Sequence, residues 1–470
     1  MMKKLMAMLS LLAVVGASAH EEANPMFRKE WTLIVNVKVE NFKNSLKELN
    51  DLDMDIAGVD SKENIIDLLV NDHQYSELVS RGYEVTVSET KGVTKGPDKE
   101  YKNPEEIEII IKNLHARFKD ITKMVSIGKS LEGRDIWALK ISDEPELNDL
   151  TEPSVLFNSM HHAREVMTPE VSIDIMEFLL ENYNSNAQVT KWVNETQIWV
   201  MPMFNVDGNN KMWNYDSYWR KNTRGGFGVD LNRNYPTGWD SCNGSSGSQS
   251  SQTYRGPNPA SEPETQAMMA FIKDIRPVFD ISYHAYSELV IYPYGCGDQR
   301  TQTKEVVEKI GKEIGSLLNY DPGTAWELLY NADGGDIDWM YDAYQVIPFV
   351  IELNNRRAGF HPKYSKWRDK TVEKNRAGWQ HLLKRTFESG LRGTVSDPNG
   401  VFLSDFAIKV YKLKDGNKEF FQNYVGHQTG AFHIVLNPGT YSLEIMVDKK
   451  IVKEISANIG ANLERIKIEI

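Results

Sequence analysis

His162-Ala163-Arg164-Glu165, with His284 far downstream, contains the side chains that could hold one zinc ion. Catalytic zinc sites use three protein ligands and keep a fourth position for water, and two His plus one Glu is one such set. His162 and Glu165 are three positions apart, so a helical turn or tight bend places both on one side of the backbone. His284 must come from another element, so the site forms only when the chain has folded. A His-x-x-Glu alone recurs by chance and gains meaning only from what surrounds it. A hydrolase of this kind also needs a carboxylate beside the attacking water, as general base and then as acid for the leaving amine. Glu352, closing the apolar run Ile347-Pro348-Phe349-Val350-Ile351, is the candidate. Taken alone, a salt-bridged Glu at a strand end explains it better; the segments described below reverse that preference.

The elements that must position these residues lie between about 101 and 389. Asn103-Pro104-Glu105-Glu106 reads as a helix start, with a cap residue and Pro in the first turn. Ser154–Ser159, Gln197–Phe204, Val278–Tyr283, Val290–Tyr292 and Ile347–Glu352 are apolar runs suited to buried strands. Pro169–Tyr183, Glu262–Ile275, Thr303–Leu318 and Ser365–Phe387 have helical patterning. The expectation is an α/β fold: a mixed, mostly buried sheet between helices, with the ligands at or just after strand ends. The Ser- and Gly-rich stretch Asn243–Gln252 reads as a flexible loop inside this unit.

Two smaller units flank it. Residues 31–87 run strand, helix, strand, strand, helix, strand, the order of a ferredoxin-like α+β domain. A polar linker with Gly92, Gly96 and Pro97 follows from Ser88 to Lys99 and is a natural site of proteolytic nicking. From Gly390 the pattern changes to short alternating strands, as in a β-sandwich. The resulting division is 1–19, 20–100, 101–389 and 390–470. Residues 1–19 read as a secretory signal peptide: Lys3 and Lys4, an apolar stretch Leu5–Gly16, then Ala17-Ser18-Ala19. That implies a secreted, extracellular or periplasmic chain.

Other segments complete the constellation: Trp219-Arg220-Lys221, Asp230-Leu231-Asn232-Arg233-Asn234, and Tyr330 ahead of Gly334-Gly335-Asp336-Ile337-Asp338-Trp339. With these in the same order along the chain, residues 101–389 resemble a zinc carboxypeptidase of the carboxypeptidase A family, the funnelins. The His₂Glu ligand set is the known one for carboxypeptidase A. The resemblance implies one zinc per chain held by His162, Glu165 and His284, with Glu352 as general base and Arg220 stabilising the oxyanion. It also implies that Asn232, Arg233 and Tyr330 clamp the substrate's terminal carboxylate, with Arg164, Tyr286 and Ile337 as further substrate contacts and Asp230 behind a zinc-ligating imidazole. The side-chain pocket would be lined by Ile291, Gly295, Leu329, Ala332, Gly335, Ile337 and Val350. Ile337 at its base points to an apolar or aromatic last residue; Asp333 or Asp336 turned inward would admit basic ones. The ligand pattern selects His162 over His161, which should point away. The 31–87 unit resembles the pro-segment of such enzymes, which implies a proenzyme cut by an activating protease. The last unit resembles a transthyretin-like domain. The rival readings are a zinc amidase acting on cell-wall peptides or acyl amino acids, and a non-catalytic binding protein that has kept the fold.

Composition narrows the partners. The chain has 470 residues, 41% hydrophobic and 26% charged, ample for a large core. Its net charge of -12 argues against nucleic acid or an anionic membrane surface. No long apolar segment suggests a membrane span, and a monomer acting on the C-termini of peptides or proteins is expected. Cys242 and Cys296 are the only cysteines and, in an exported protein, are expected to pair.

Overall fold

The computed structural model describes residues 32–91 and 96–470. The expected signal peptide lies outside the described residues, as do residues 92–95 of the expected linker. Among the described residues no helix is long and apolar enough to cross a membrane.

The N-terminal unit contains strands β1 (Thr32–Lys38), β2 (Asp55–Asp60), β3 (Ile65–Val70) and β4 (Glu84–Lys91), with helices Phe42–Asp51 and Asp72–Ser80. They form one sheet in the order β2-β3-β1-β4, the ferredoxin-like arrangement expected. Asn71 and Gln74 form a capping box that starts the second helix. β4 runs beyond Val87, pairing with β1 as far as Thr32 opposite Lys91 across a bulge at Ile34/Val35. The first residues read as linker are therefore strand.

The central unit is an eight-stranded mixed sheet. Its strands are β5 (Thr122–Lys129), β6 (Asp135–Ile141), β7 (Ser154–Ser159), β8 (Gln197–Met201), β9 (Pro277–Ala285), β10 (Leu289–Ile291), β11 (Asp321–Gly323) and β12 (Ile347–Leu353). The order is β11-β10-β12-β9-β7-β8-β6-β5. β8, β7, β9 and β12 run parallel at the centre. β7, β8 and β9 are buried along their whole lengths, which is why they read as continuous apolar runs instead of alternating ones. Helices Thr168–Asn182, Pro263–Ile275, Lys304–Leu318 and Tyr364–Arg385 match the expected segments to within a few residues. β5 and β6 went unread in sequence. They pair antiparallel, β5 lying at the sheet edge and only partly buried, with a bulge between Ser126 and Gly128 that breaks the alternation.

The C-terminal unit is a β-sandwich. Strands β13 (Gly390–Ser396), β16 (Ala431–Val435) and β19 (Leu463–Glu469) make one sheet. Strands β14 (Ala407–Lys414), β15 (Asn417–Val425), β17 (Gly439–Val447) and β18 (Lys450–Ile459) make the other. Val395, Ile408, Val410, Phe432, Leu443 and Ile445 are buried in its core. The buried Arg385 ties it to the last catalytic-unit helix by donating to Leu436 O at 2.8 Å.

Candidate active site

Three parallel strands deliver the central groups at their carboxyl ends, where open α/β sheets place ligands. β7 ends at Ser159, and Met160 follows in a left-handed conformation (φ 65°) that turns the chain. Tight turns close next, with Glu165 N donating to His162 O and Thr168 N to Glu165 O, and lead into the helix from Thr168. This is the bend that puts His162 and Glu165 on one side. β12 pairs with β9 so that Glu352 lies directly opposite His284.

The geometry of the three ligand candidates fits a tetrahedral cation. His162 Nδ1 lies 3.1 Å from His284 Nδ1 and 2.7 Å from Glu165 Oε1, and Glu165 Oε2 lies 3.2 Å from His284 Nδ1. Ligand atoms about 2.0–2.1 Å from one tetrahedral zinc would stand about 3.3 Å apart. Two imidazole nitrogens facing each other and a carboxylate is also the right donor set. The far nitrogens of both rings face polar groups: His162 Nε2 lies 3.2 Å from Asp230 Oδ1, and His284 Nε2 lies 3.3 Å from Ser282 Oγ. Protons kept there leave the Nδ1 lone pairs for a metal. All three residues are buried. Burial opposes the charged Glu165, but His162 and then His284 outweigh it and hold the carboxyl well below its usual range. Burial disfavours the charged His284 ring, yet Glu165 raises it. His161 turns behind the cluster, 3.2 Å from Tyr235 Oη and 4.6 Å from the Phe204 ring, outside the ligand group.

Asp230 is the hub beside the metal cluster. Its Oδ2 accepts from Arg220 Nε (3.2 Å) and Nη2 (2.9 Å), and its Oδ1 accepts from Asn232 N (2.9 Å). Burial opposes both charges, and each partner outweighs it for the other: Asp230 is held well below the usual carboxylate range and Arg220 is raised. Glu352 faces the same cleft. Burial, then the nearby Glu165, pushes its carboxyl up to about 7.

The cleft is lined by His162, Glu165, Arg220, Asn232, Arg233, His284, Tyr286, Tyr330 and Glu352. Ile291, Gly295, Leu329, Ala332, Gly335, Ile337 and Val350, the residues of the expected side-chain pocket, line the same cleft together with Ala325. Asp333 turns away, accepting from the backbone N–H groups of Ser241, Cys242 and Gly244. Asp336 caps the N–H of Ile337 at 2.8 Å, with Oδ2 3.6 Å from His161 Nε2. The carboxylate that sequence reasoning missed is Asp338, which lines the pocket, accepts from Gly295 N at 2.9 Å and is pushed by burial up to about 7. Its signal was the three-residue helical spacing from Gly335, which returns to the pocket face.

Arg164, the remaining sequence candidate, is taken up by the N-terminal unit. It pairs with Asp55 through two bonds of 2.6 and 2.7 Å, and its guanidinium stacks 4.3 Å over Phe360. Ile56, Ala57 and Gly58 of β2 form one wall of the cleft. Gly58 is needed there, because a Cβ would fall 2.3 Å from the Tyr286 ring. Tyr286 Oη donates to Asp67 at 3.1 Å, and Val59 N donates to Ser287 Oγ at 2.9 Å.

Comparison with known proteins agrees with this geometry. The zinc carboxypeptidase family model matches residues 107–377. Human carboxypeptidase B is 28% identical over 395 residues, spanning 76% of this chain and 93% of its own. Human carboxypeptidase A6 is 32% identical over 274 residues, spanning 55% of this chain and 61% of its own. The crystal structure of carboxypeptidase A from Helicoverpa armigera superposes with a TM-score of 0.64 at 22% identity, covering 75% of this chain and 96% of that one.

Proposed function

The chain belongs to the zinc carboxypeptidase family and is a metallocarboxypeptidase, and from that premise we propose that it removes the last residue of peptides or proteins, prefers apolar or aromatic last residues, and is secreted as a proenzyme. One observation carries the reading. His162, Glu165 and His284 converge beside Glu352 in a cleft that is also lined by Arg233 and by a set of apolar side chains.

In this reading His162, Glu165 and His284 hold a single zinc. When bound, zinc supplies Lewis acidity that activates water near neutral pH and polarises a carbonyl. Arg233, Asn232 and Tyr330 bind the substrate's terminal carboxylate, Arg233 through a bidentate pair. An internal peptide bond would leave that cation unmatched, which restricts cleavage to the last residue. Glu352 takes a proton from the water that adds to the scissile carbonyl carbon. Arg220 stabilises the oxyanion that develops on the carbonyl oxygen. Glu352 then gives the proton to the amine nitrogen as the C–N bond breaks. Ile337 and its apolar neighbours support the side-chain preference, with Asp333 tied elsewhere. Asp336 and Asp338, which both line the cleft, give acceptance of basic residues its foothold.

The test uses peptides with varied last residues and free or amidated C-termini, with and without a chelator. Activity should vanish on metal removal and return with one equivalent of zinc, and free C-termini should be cleaved far faster than amidated ones. Activity that survives complete metal removal would end the reading.

The proenzyme proposal rests on the Asp55–Arg164 pair and on β2 walling the cleft, with the signal-peptide pattern Lys3 to Ala19 behind secretion. Leu289, Ile291, Ala325, Ile337 and Val350 share one apolar cluster with the N-terminal unit's own core. Breaking one side of a buried ion pair costs about 3 kcal/mol or more. Asp55→Ala should therefore raise the activity of the uncut chain at least about ten-fold, read as initial rates before and after nicking between β4 and residue 99. A variant with an uncleavable linker as active as the nicked chain would refute the inhibitory role.

A further inference from the structure

The segment Ser241–Ser245 has no role in the mechanism above, yet it touches the carboxylate clamp. Arg233 Nε donates to Gly244 O at 2.9 Å and Nη1 donates to Asn232 O at 2.7 Å. Neither bond uses Nη2. A Ser- and Gly-rich stretch has too much conformational freedom to hold a carbonyl in place by itself. Here three attachments hold it. Asp333 is buried, with Oδ2 accepting from the N–H groups of Ser241 (3.2 Å), Cys242 (3.1 Å) and Gly244 (3.1 Å), while Oδ1 accepts from the Ser245 hydroxyl. Cys242 is bridged to Cys296, which follows the pocket residue Gly295, with the Cα atoms 5.9 Å apart. Asn331, next to Tyr330, donates to Cys242 O at 3.1 Å. The fit leaves no slack: a Cβ on Gly244 would lie 2.4 Å from Asp333 N and 2.7 Å from Ala332 Cα.

We propose that Asp333 and the Cys242–Cys296 bridge are positioning groups for Arg233, setting the affinity for the substrate's terminal carboxylate. Neither touches substrate; both act through Gly244 O, which fixes the plane of the guanidinium. A bidentate Arg–carboxylate pair needs that plane, whereas charge alone does not specify it. Because the carboxylate is bound in ground state and transition state alike, loss of the plane raises KM and spares kcat. The inference rests on Arg233 being the clamp.

The experiment uses the full-length chain nicked between β4 and residue 99, as wild type, Asp333→Ala, Asp333→Asn and the Cys242→Ser/Cys296→Ser double variant. Each is assayed on one peptide with a free C-terminus and on its C-terminal amide. Asp333→Ala and the double variant should raise KM for the free acid about ten-fold, leave kcat within about three-fold and leave the amide rate unchanged. Asp333→Asn should restore most of the affinity, since its amide oxygen can take the three N–H groups and its NH₂ can donate to Ser245. If Asp333→Ala fails to fold, the double variant and the wild type reduced with a non-thiol phosphine, with zinc content checked, carry the same test. Unchanged KM, equal losses on both substrates, or a fall in kcat at constant KM would overturn the proposal. A wild type that cleaves the amide as fast as the acid would instead refute the clamp beneath it.

Discussion

Glu352→Gln is expected to lower kcat by about two to four orders of magnitude while zinc content and KM stay close to wild type. Gln keeps the size and hydrogen bonding of the side chain but cannot accept a proton. The two parts of the result separate a base from a ligand: loss of zinc, measured by elemental analysis, would mean Glu352 helps hold the metal. Its position makes the acid–base role physically reasonable. Burial, then Glu165, lifts its carboxyl up to about 7, so it both holds and releases a proton near neutral pH. The sign of the pH dependence follows. Glu352 must be ionised to take the proton, so kcat/KM falls as pH drops through its pKa. A bound dication next to it favours the ionised form and moves that limb below 7. In Glu352→Gln the limb should disappear. A variant keeping more than about a tenth of wild-type kcat would remove Glu352 from the mechanism.

The sequence reading reached the residues whose chemistry is local and the strands whose burial is uniform. β7 and β9 are buried along their whole lengths, so many of their positions are apolar, and such runs are visible without a fold. The bend at His162–Glu165 follows from a three-residue spacing. What it could not reach depends on register and on contacts across long sequence separations. That Glu352 stands beside His284 is a property of β9 and β12 pairing in parallel, which neither strand's composition encodes. Arg164 reads as a substrate contact, yet its partner here, Asp55, is 109 positions away on a strand of another unit. The Ser- and Gly-rich stretch from Asn243 reads as flexible from composition. Its first residues are instead pinned by Asp333, whose direction depends on tertiary packing. Asp338 was hidden for a similar reason: only the helix Asp336–Tyr344 shows which face meets the pocket.

Arg220→Ala is expected to cost about two to three orders of magnitude in kcat with a much smaller change in KM, since the oxyanion exists only after water has added. Arg220→Lys discriminates between charge and geometry. Asp230 grips Arg220 through Nε and Nη2 together, and an ammonium cannot reproduce that planar grip. If a correctly aimed donor is what matters, the Lys variant should recover only a small part of the lost rate. If bulk positive charge suffices, it should recover most of it. Asp230 makes the two cases separable from metal loss as well, because its other oxygen lies 3.2 Å from His162 Nε2. Removing Arg220 leaves a buried carboxylate with fewer cations around it, which strengthens its hold on His162 and should leave zinc bound. An Arg220→Ala protein that keeps its zinc and loses kcat places the defect at the oxyanion. One that keeps its zinc and loses only KM would place Arg220 with the substrate-binding groups instead.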